Sequence, residues 1–296
     1  MRGVSKDRCK HRCLRPSFEA RKGAHLGMTT IAMSLDLAFI LALALRMAIT
    51  AAFIVTASII TERSGPVIGA LIATLPISAG PSYVFLALDH DAAFIAEGAL
   101  ASLSINAATI FLVLTYVMLA QRNNMIVSFC AAIAVWVVIA TSMRIAHLSL
   151  LGAIVANAIA FAIALPLVQR FRNVKMPLIT RRWYDIPLRA ALVSTLVATV
   201  VTLSGWVGPT VSGIIALIPL VFISMMLILH PRIGGPPTAA LLANSLWGLI
   251  GFGGGIAVMH LAALRFGSAV ALSLALATCV GWNLGLWWLS RRKLAR

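Results

Sequence analysis

Residues 64–76, SGPVIGALIATLP, recur 143 positions later as VGPTVSGIIALIP at residues 207–219. The two stretches share a Gly-Pro pair and a second proline at the same spacing. Gly and Pro agree by chance less readily than apolar side chains, because each imposes its own backbone geometry. The same ungapped shift places Arg46 on Arg189. The repeat indicates a duplicated unit, which is typical of secondary transporters built from two related halves.

The composition places the chain in a lipid bilayer. Hydrophobic residues make up 61% of the sequence and charged residues only 11%, against about 25% in soluble domains. Eight of the 24 basic residues lie in the first 27 positions, and most of the others separate apolar runs. The net charge of +16 therefore indicates loops at a membrane surface. No segment offers the folded basic face that a nucleic-acid partner needs.

The sequence carries no pattern of a metal site, a cofactor site or a catalytic centre. The four cysteines are too few for a disulfide framework, and CKHRC at residues 9–13 lacks a fourth ligand and a common zinc spacing. HExxH, nucleophile-elbow and P-loop motifs do not occur in the sequence. We expect no metal, no cofactor and no enzymatic activity.

Nine apolar stretches are long enough to cross the hydrocarbon core, which takes roughly 20 helical residues. Short polar separators divide them, apart from one basic linker at residues 169–187. The linker separates a first repeat of five helices, residues 28–168, from a second repeat of four, residues 188–296. The sequence thus predicts an all-α polytopic membrane protein in two repeats (5+4). The nine stretches are 37–61, 66–88, 93–120, 125–143, 146–168, 188–206, 209–229, 237–264 and 268–290.

The distribution of basic residues sets the orientation, since loops rich in Lys and Arg stay in the cytoplasm. With the N-terminus outside, 13 basic residues fall on the cytoplasmic side and 10 outside, including the 8 of the N-terminal tail. We therefore predict a multi-pass protein of a bacterial-type inner membrane, N-out and C-in. Because the first repeat has an odd number of helices, the second repeat runs in the opposite direction and the repeats are inverted.

Prolines interrupt the second and seventh apolar stretches at matching places. Pro76 and Pro81, with Gly80 between them, break the second stretch, and Pro219 breaks the seventh. A proline inside a helix frees the carbonyl four residues earlier, which lipid tolerates only where protein or a wet cavity faces it. We expect the two breaks to meet at one substrate site near the bilayer midplane, and packing kinks are the alternative. The freed carbonyls would be those of Ile72, Ile77 and Ile215, and the nearby polar side chains those of Ser78, Ser82 and Tyr83.

In architecture the chain resembles the drug/metabolite transporter superfamily, which is built from two inverted five-helix units. The paired helix interruptions are similar in kind to those of bile-acid and auxin-type carriers. The resemblance covers residues 37–290 as a plan, without a family motif, and it implies alternating access between two halves. The absence of a tenth helix from the sequence pattern departs from both groups.

Ionisable residues inside the predicted spans are few, and each is a functional candidate because a charge in the bilayer is costly. Arg46 and its equivalent Arg189 either bind an anion or gate the pathway, or else their side chains reach the membrane interface. Glu97 either carries a coupled proton, neutralises Arg46 or lies in the interface.

Amide side chains and glycines complete the set of candidates. Asn106 and Asn244 are candidates to line the substrate pathway, although buried amides ordinarily form hydrogen bonds between helices. Asn157 and Asn283 belong to the same group. The glycines at positions 251 and 253–255 serve either close helix packing or a flexible point.

These features favour a secondary transporter that imports or exports a small solute or ion by alternating access between two inverted halves. The alternative is a non-transporting membrane scaffold or accessory subunit that has inherited the fold. The expected partners are the lipid bilayer and the transported solute, and the pattern also allows a homodimer.

The N-terminal tail conflicts with the predicted orientation. Residues 1–27 carry 8 basic residues on the outer side, where such clusters are disfavoured, and they show no apolar periodicity. We expect this tail to be disordered. Because Lys22-Gly23-Ala24 can be encoded by a ribosome-binding sequence, we also expect translation to start at Met28. Mass spectrometry of the native N-terminus checks this, and a peptide covering residues 9–21 would reject the Met28 start. The alternative is a genuine cytoplasmic tail, which requires either the opposite topology or one apolar stretch outside the membrane.

Overall fold

The computed structural model describes residues 39–56, 59, 79–172, 174, 182 and 184–294. The chain divides into two compact units, residues 1–45 and 46–296, and the described part of the first, residues 39–45, is helical. The tail, Gly65, Gly69, Pro76 and Ser78 lie outside the described residues. Within these ranges the helices are α1 (Phe39–Thr56), α2 (Ala79–Asp89), α3 (Ala92–Leu119), α4 (Met125–Ala146), α5 (Leu150–Gln169), α6 (Asp185–Ala216), α7 (Leu220–Ile233) and α8 (Gly235–Leu294).

Six of these helices are long and apolar enough to cross a membrane, namely α1, α3, α4, α5, α6 and α8. No β-strand occurs among the described residues. Large apolar side chains point outward from several of these helices; Ile145 and Leu151, for example, are 72% and 71% exposed. The prediction of an all-helical, multi-pass membrane protein is therefore confirmed.

Four of the nine predicted stretches do not each correspond to one described helix. Only residues 79–88 of the stretch 66–88 fall in a described helix. The stretch 209–229 is shared between the end of α6 and the start of α7. The stretches 237–264 and 268–290 both lie in α8, which bends at Gly267, where φ is 82°. Glycine adopts this left-handed conformation without steric cost, as it also does at Gly208 in α6, where φ is 75°.

The polar separators seen in the sequence include the residues that begin α3, α4 and α5. Asp91, Asn124 and Ser149 have extended backbones, and each side chain accepts a hydrogen bond from the N–H three residues later. The three donor–acceptor distances are 2.9, 3.0 and 3.3 Å. Asp, Asn and Ser are favoured at this position because they satisfy a backbone donor that the helix leaves unpaired.

Helix α3 forms the centre of the described structure. In its apolar window 72% of residues are buried, against 33% or less in each of the other five candidate spanning helices. Helices α4, α5, α6 and α8 all pack against it. The first part of α8 runs antiparallel to α3, because Gly235 lies against Ala120 at one end and the His260 Nδ1 bonds to the Ala96 carbonyl, at 2.7 Å, near the other.

Glycines bring helix backbones into direct contact with α3. A Cβ built at Gly213 of α6 would overlap the carbonyl group of Gly98, and one built at Gly235 of α8 would overlap the carbonyl group of Ala120. No side chain can be interposed at either contact. Small residues at helix interfaces commonly allow this approach in membranes.

Two glycines of the cluster at positions 251 and 253–255 of α8 allow close packing between the two parts of this helix. A Cβ at Gly251 would overlap the Trp282 side chain, and one at Gly255 would lie 2.6 Å from the Cys279 Sγ. The two parts of α8 therefore fold back on each other across Gly267. Gly281 and Gly285, by contrast, have no described atom within 4 Å of a built Cβ, so their GxxxG spacing makes no close contact.

A pair of glycine substitutions in α6 tests the backbone contacts. Gly213→Ala should destabilise the protein by about 1–3 kcal/mol, because its methyl group forces α6 away from α3. Gly205→Ala is the matched control, since a Cβ there meets nothing within 4 Å. We expect the control to be neutral or stabilising by roughly 0.5–1 kcal/mol, the gain in helix propensity. Thermal unfolding of the purified protein in detergent measures both, and equal effects would contradict the packing role of Gly213.

Candidate functional site

Two of the predicted site residues, Gly80 and Pro81, line a cavity of about 450 Å³. The cavity lies between α1, α2 and the two parts of α8. Phe53 and Phe85 contribute aromatic walls, and Phe252 closes the side formed by α8. Two residues of the predicted interruption in the second stretch, Gly80 and Pro81, thus line a partly open cavity.

The residue types of α2 help to leave this space open. Pro81 lies near the start of the described part of α2, and its ring is part of the cavity lining. Gly80 has no side chain, and a Cβ built there would meet no atom within 4 Å. The cavity therefore extends to the backbone of α2.

The second predicted interruption occurs at Pro219, but it does not line this cavity. Helix α6 ends at Ala216, and α7 begins at Leu220, directly after the proline. The Ile218 N–H donates to the Ile215 carbonyl at 3.0 Å. The expectation that Pro219 leaves the Ile215 carbonyl free is therefore wrong, because a tighter three-residue turn supplies a donor. Pro76, Ser78, Ile72 and Ile77 lie outside the described residues.

A hydrogen-bond chain fixes α2 beside α3 and α6. Ser102 Oγ donates to the Gly213 carbonyl at 2.8 Å, so the Tyr83 hydroxyl, 2.6 Å away, donates to Ser102. All three residues are buried. Ser82, the remaining polar candidate of this segment, is also buried and is not among the residues that line the cavity.

Arg46 forms an ion pair with Asp89 rather than with Glu97. Its Nη1 bonds to Asp89 Oδ2, and its Nη2 lies 2.6 Å from Oδ1, so the contact is bidentate. The guanidinium also lies over the ring of Phe85, 5.7 Å from its centroid. This Arg46–Asp89 pair joins α1 to the end of α2.

A second bidentate ion pair joins α6 to the end of α7. Arg232 Nη1 and Nη2 donate to the two carboxylate oxygens of Asp185 at 2.8 and 2.7 Å. The side chains of Arg232 and Asp185 are 16% and 14% exposed, whereas those of Arg46 and Asp89 are 24% and 30% exposed. Hydrogen bonds from Arg182 and then Arg232 lower the pKa of the neighbouring Tyr184 phenol. Arg189, one turn after Asp185, adds to the positive field around this carboxylate.

The two ion pairs share one equivalent position, at which the charge is exchanged. The 143-residue shift relates Arg46 to Arg189 and Asp89 to Arg232. In the second repeat the acid stands at Asp185, one turn before Arg189. Because Asp89 precedes α3 and Arg232 precedes α8, and because these helices are antiparallel, the pairs lie at opposite ends of the central helix pair. Sequence reasoning missed Asp185 and Arg232, although the shift placed Arg232 opposite Asp89.

Glu97 lies near the start of α3 with an exposed side chain. Its Oε1 accepts a hydrogen bond from the Thr210 hydroxyl at 2.9 Å. This contact fits the interfacial alternative for Glu97 and ties α3 to the part of α6 that follows Gly208.

The candidate amides have separate partners. Asn106, at the middle of α3, donates from Nδ2 to Asn157 Oδ1 at 2.8 Å, and Asn157 donates to the carbonyls of Leu103 and Ala153. Asn106 Oδ1 is buried and has no hydrogen-bond partner among the described residues. Asn244 instead bonds Arg172 Nε at 2.8 Å, so the structure does not bring it together with Asn106.

Within the described ranges, no group of three or more His, Cys, Asp or Glu side chains is arranged to hold a metal ion. Comparisons with protein-family models, with curated proteins and with solved structures give no match to this chain. No family is assigned on this basis.

Asn157 forms a buried amide hub, because it bonds the Asn106 amide and the carbonyls of Leu103 and Ala153. Substitution of Asn157 measures how much this hub contributes to the free energy of unfolding. Asn157→Ala should lower the free energy of unfolding by about 1–2 kcal/mol, because the Asn106 amide and the Leu103 carbonyl lose their partner. Asn123→Ala is the control: this amide is exposed at the turn after α3, and its loss should cost less than about 0.5 kcal/mol. Denaturation in detergent compares the two, and equal losses would argue against the hub.

Proposed function

We propose that this chain is a secondary transporter of a bacterial-type inner membrane, which imports or exports a small solute by alternating access between two inverted halves. The observation that carries the proposal is the pair of charge-exchanged ion pairs at opposite ends of the central helices. Each joins the first helix of one repeat to the end of its second helix. An inverted repeat requires equivalent features to appear on opposite membrane faces.

The packing of α3 against α8 supports the inversion. These helices are equivalent under the 143-residue shift, and they run antiparallel. Gly235 lies against Ala120, and Gly253 lies beside Leu103 and Asn106. This register places the crossing near residue 106 of α3 and residue 249 of α8, which are themselves related by the shift. A pseudo-two-fold axis through this crossing, with nine membrane crossings and the N-terminus outside, is the arrangement we propose.

The two ion pairs are proposed to close the two ends of the pathway. Both pairs are formed in this structure. Opening one end separates one pair while the other holds, so the binding space faces one side of the membrane at a time. A bidentate Arg–carboxylate contact suits this role, because its planar geometry is lost when the helices move apart.

Sided thiol labelling tests this proposal without a known substrate. The reporter is Thr50→Cys, at a buried position that lines the cavity one turn after Arg46. In vesicles of defined orientation, Asp89→Asn should raise its labelling from the outer face roughly tenfold, because labelling follows the population of the open state. Asp185→Asn should raise its labelling from the inner face. The native cysteines to be replaced first are Cys9, Cys13, Cys130 and Cys279.

Arg144→Gln, which removes an exposed charge at the end of α4, is the control for a general change of surface charge. Two results would contradict alternating access. One is that Asp89→Asn and Asp185→Asn raise the labelling from the same face, and the other is that neither of them raises it. Solute counterflow in proteoliposomes, after a substrate screen, then separates a transporter from a scaffold.

A further inference from the structure

The described walls of the cavity beside Gly80 and Pro81 offer no free side-chain hydrogen-bond donor to a ligand. Its described lining includes no charged side chain. Four lining residues carry a hydroxyl or thiol, and each of these groups already has a partner within the protein. Thr50 bonds the Arg46 carbonyl at 2.8 Å, Tyr83 bonds Ser102 at 2.6 Å, Ser273 bonds the Ala269 carbonyl at 2.9 Å and Cys279 bonds the Gly251 carbonyl at 3.7 Å.

The charged side chain nearest to Thr50 along α1 is already paired with an acid outside the cavity lining. Arg46 stands one turn before Thr50, but both of its terminal nitrogens are bonded to Asp89. A charged ligand would therefore lose its water without gaining an opposite charge in the cavity. A polar ligand would leave its own groups unpaired, and such desolvation without compensation is costly.

We infer that this cavity binds an uncharged, predominantly apolar solute, and that this is the substrate class of the proposed transporter. The inference rests on the proposed function only in its second part, since binding and transport are separate events. A volume of about 450 Å³ lies within the range of small-molecule sites, roughly 300–1,000 Å³. The aromatic walls of Phe53, Phe85 and Phe252 suit a ligand with a ring, because rings pack favourably edge-to-face or offset.

The fold provides this space by two different uses of glycine. At Gly255 the missing side chain lets the two parts of α8 approach, since a Cβ there would lie 2.9 Å from the Ala275 carbonyl oxygen. At Gly80 a built Cβ would meet no described atom within 4 Å. A larger residue at Gly80, which lines the cavity, would therefore take up part of its volume.

Photolabelling of the full chain in liposomes tests the inference. The probes are benzophenone, which is uncharged, and 4-benzoylbenzoate, which adds a carboxylate to the same ring system. We expect benzophenone to label cavity residues such as Met259, as read by peptide mass spectrometry, and 4-benzoylbenzoate to leave them unlabelled. Gly80→Leu should reduce the cavity labelling by at least about tenfold, the scale on which filling a pocket excludes a ligand. Gly281→Leu should not, because this glycine faces open space outside the cavity.

Three results would overturn the inference. These are equal labelling of the cavity by the charged probe, equal labelling of the wild type and Gly80→Leu, and cavity labelling confined to a phospholipid with the photoreactive group on its acyl chain. The last result would identify the occupant as a lipid tail rather than a free solute. Labelling that follows the expected pattern, with no sided response of Thr50→Cys, would keep the binding site and reject transport.

Discussion

Direct backbone contact around α3 is the constraint on which the rest of the described structure depends. In lipid the hydrophobic effect does not drive helices together, so close packing and hydrogen bonds must do so. Gly213 brings α6 onto the Gly98 carbonyl, and Gly235 brings α8 onto Ala120. Both of these contacts on α3 come from helices after the basic linker. The described helices before and after the linker consequently share one core around α3.

Apolar length predicted α3, α4 and α5 to within a few residues, because a bilayer requires a fixed span and the chain satisfies it locally. It did not predict that two apolar stretches would both lie in α8. The role of individual glycines was not predictable in the same way. Gly281 and Gly285 have the GxxxG spacing and meet nothing, whereas Gly251 and Gly255 have the same spacing and touch Trp282 and Cys279. Spacing indicates which residues share a helix face. It does not indicate what lies opposite that face, which is decided by the tertiary fold.

The candidate site shows the same division between local and tertiary information. The interruption at Pro219 was predictable, since a proline cannot continue the hydrogen-bond ladder. That Ile218 would supply a donor to the Ile215 carbonyl depended on the path of the turn. The partner of Arg46 was likewise hidden, because Asp89 is 43 residues away and belongs to a different helix. The cavity beside Gly80 proved more apolar than its neighbouring serines and tyrosine suggested, since the hydroxyls that line it are used within the protein.

The exchange of charge between the two ion pairs has a consequence for how the chain enters the membrane. In the proposed orientation Asp89 lies before a loop on the outer face, and Arg232 lies before a loop on the inner face. A duplicated unit that kept Arg at both positions would have to move a basic loop across the membrane in one repeat, which insertion disfavours. Exchanging acid and base preserves the attraction while letting each loop carry the charge appropriate to its side. The same contact that joins the helices of the folded protein thus agrees with the direction in which each newly made hairpin is delivered into the bilayer.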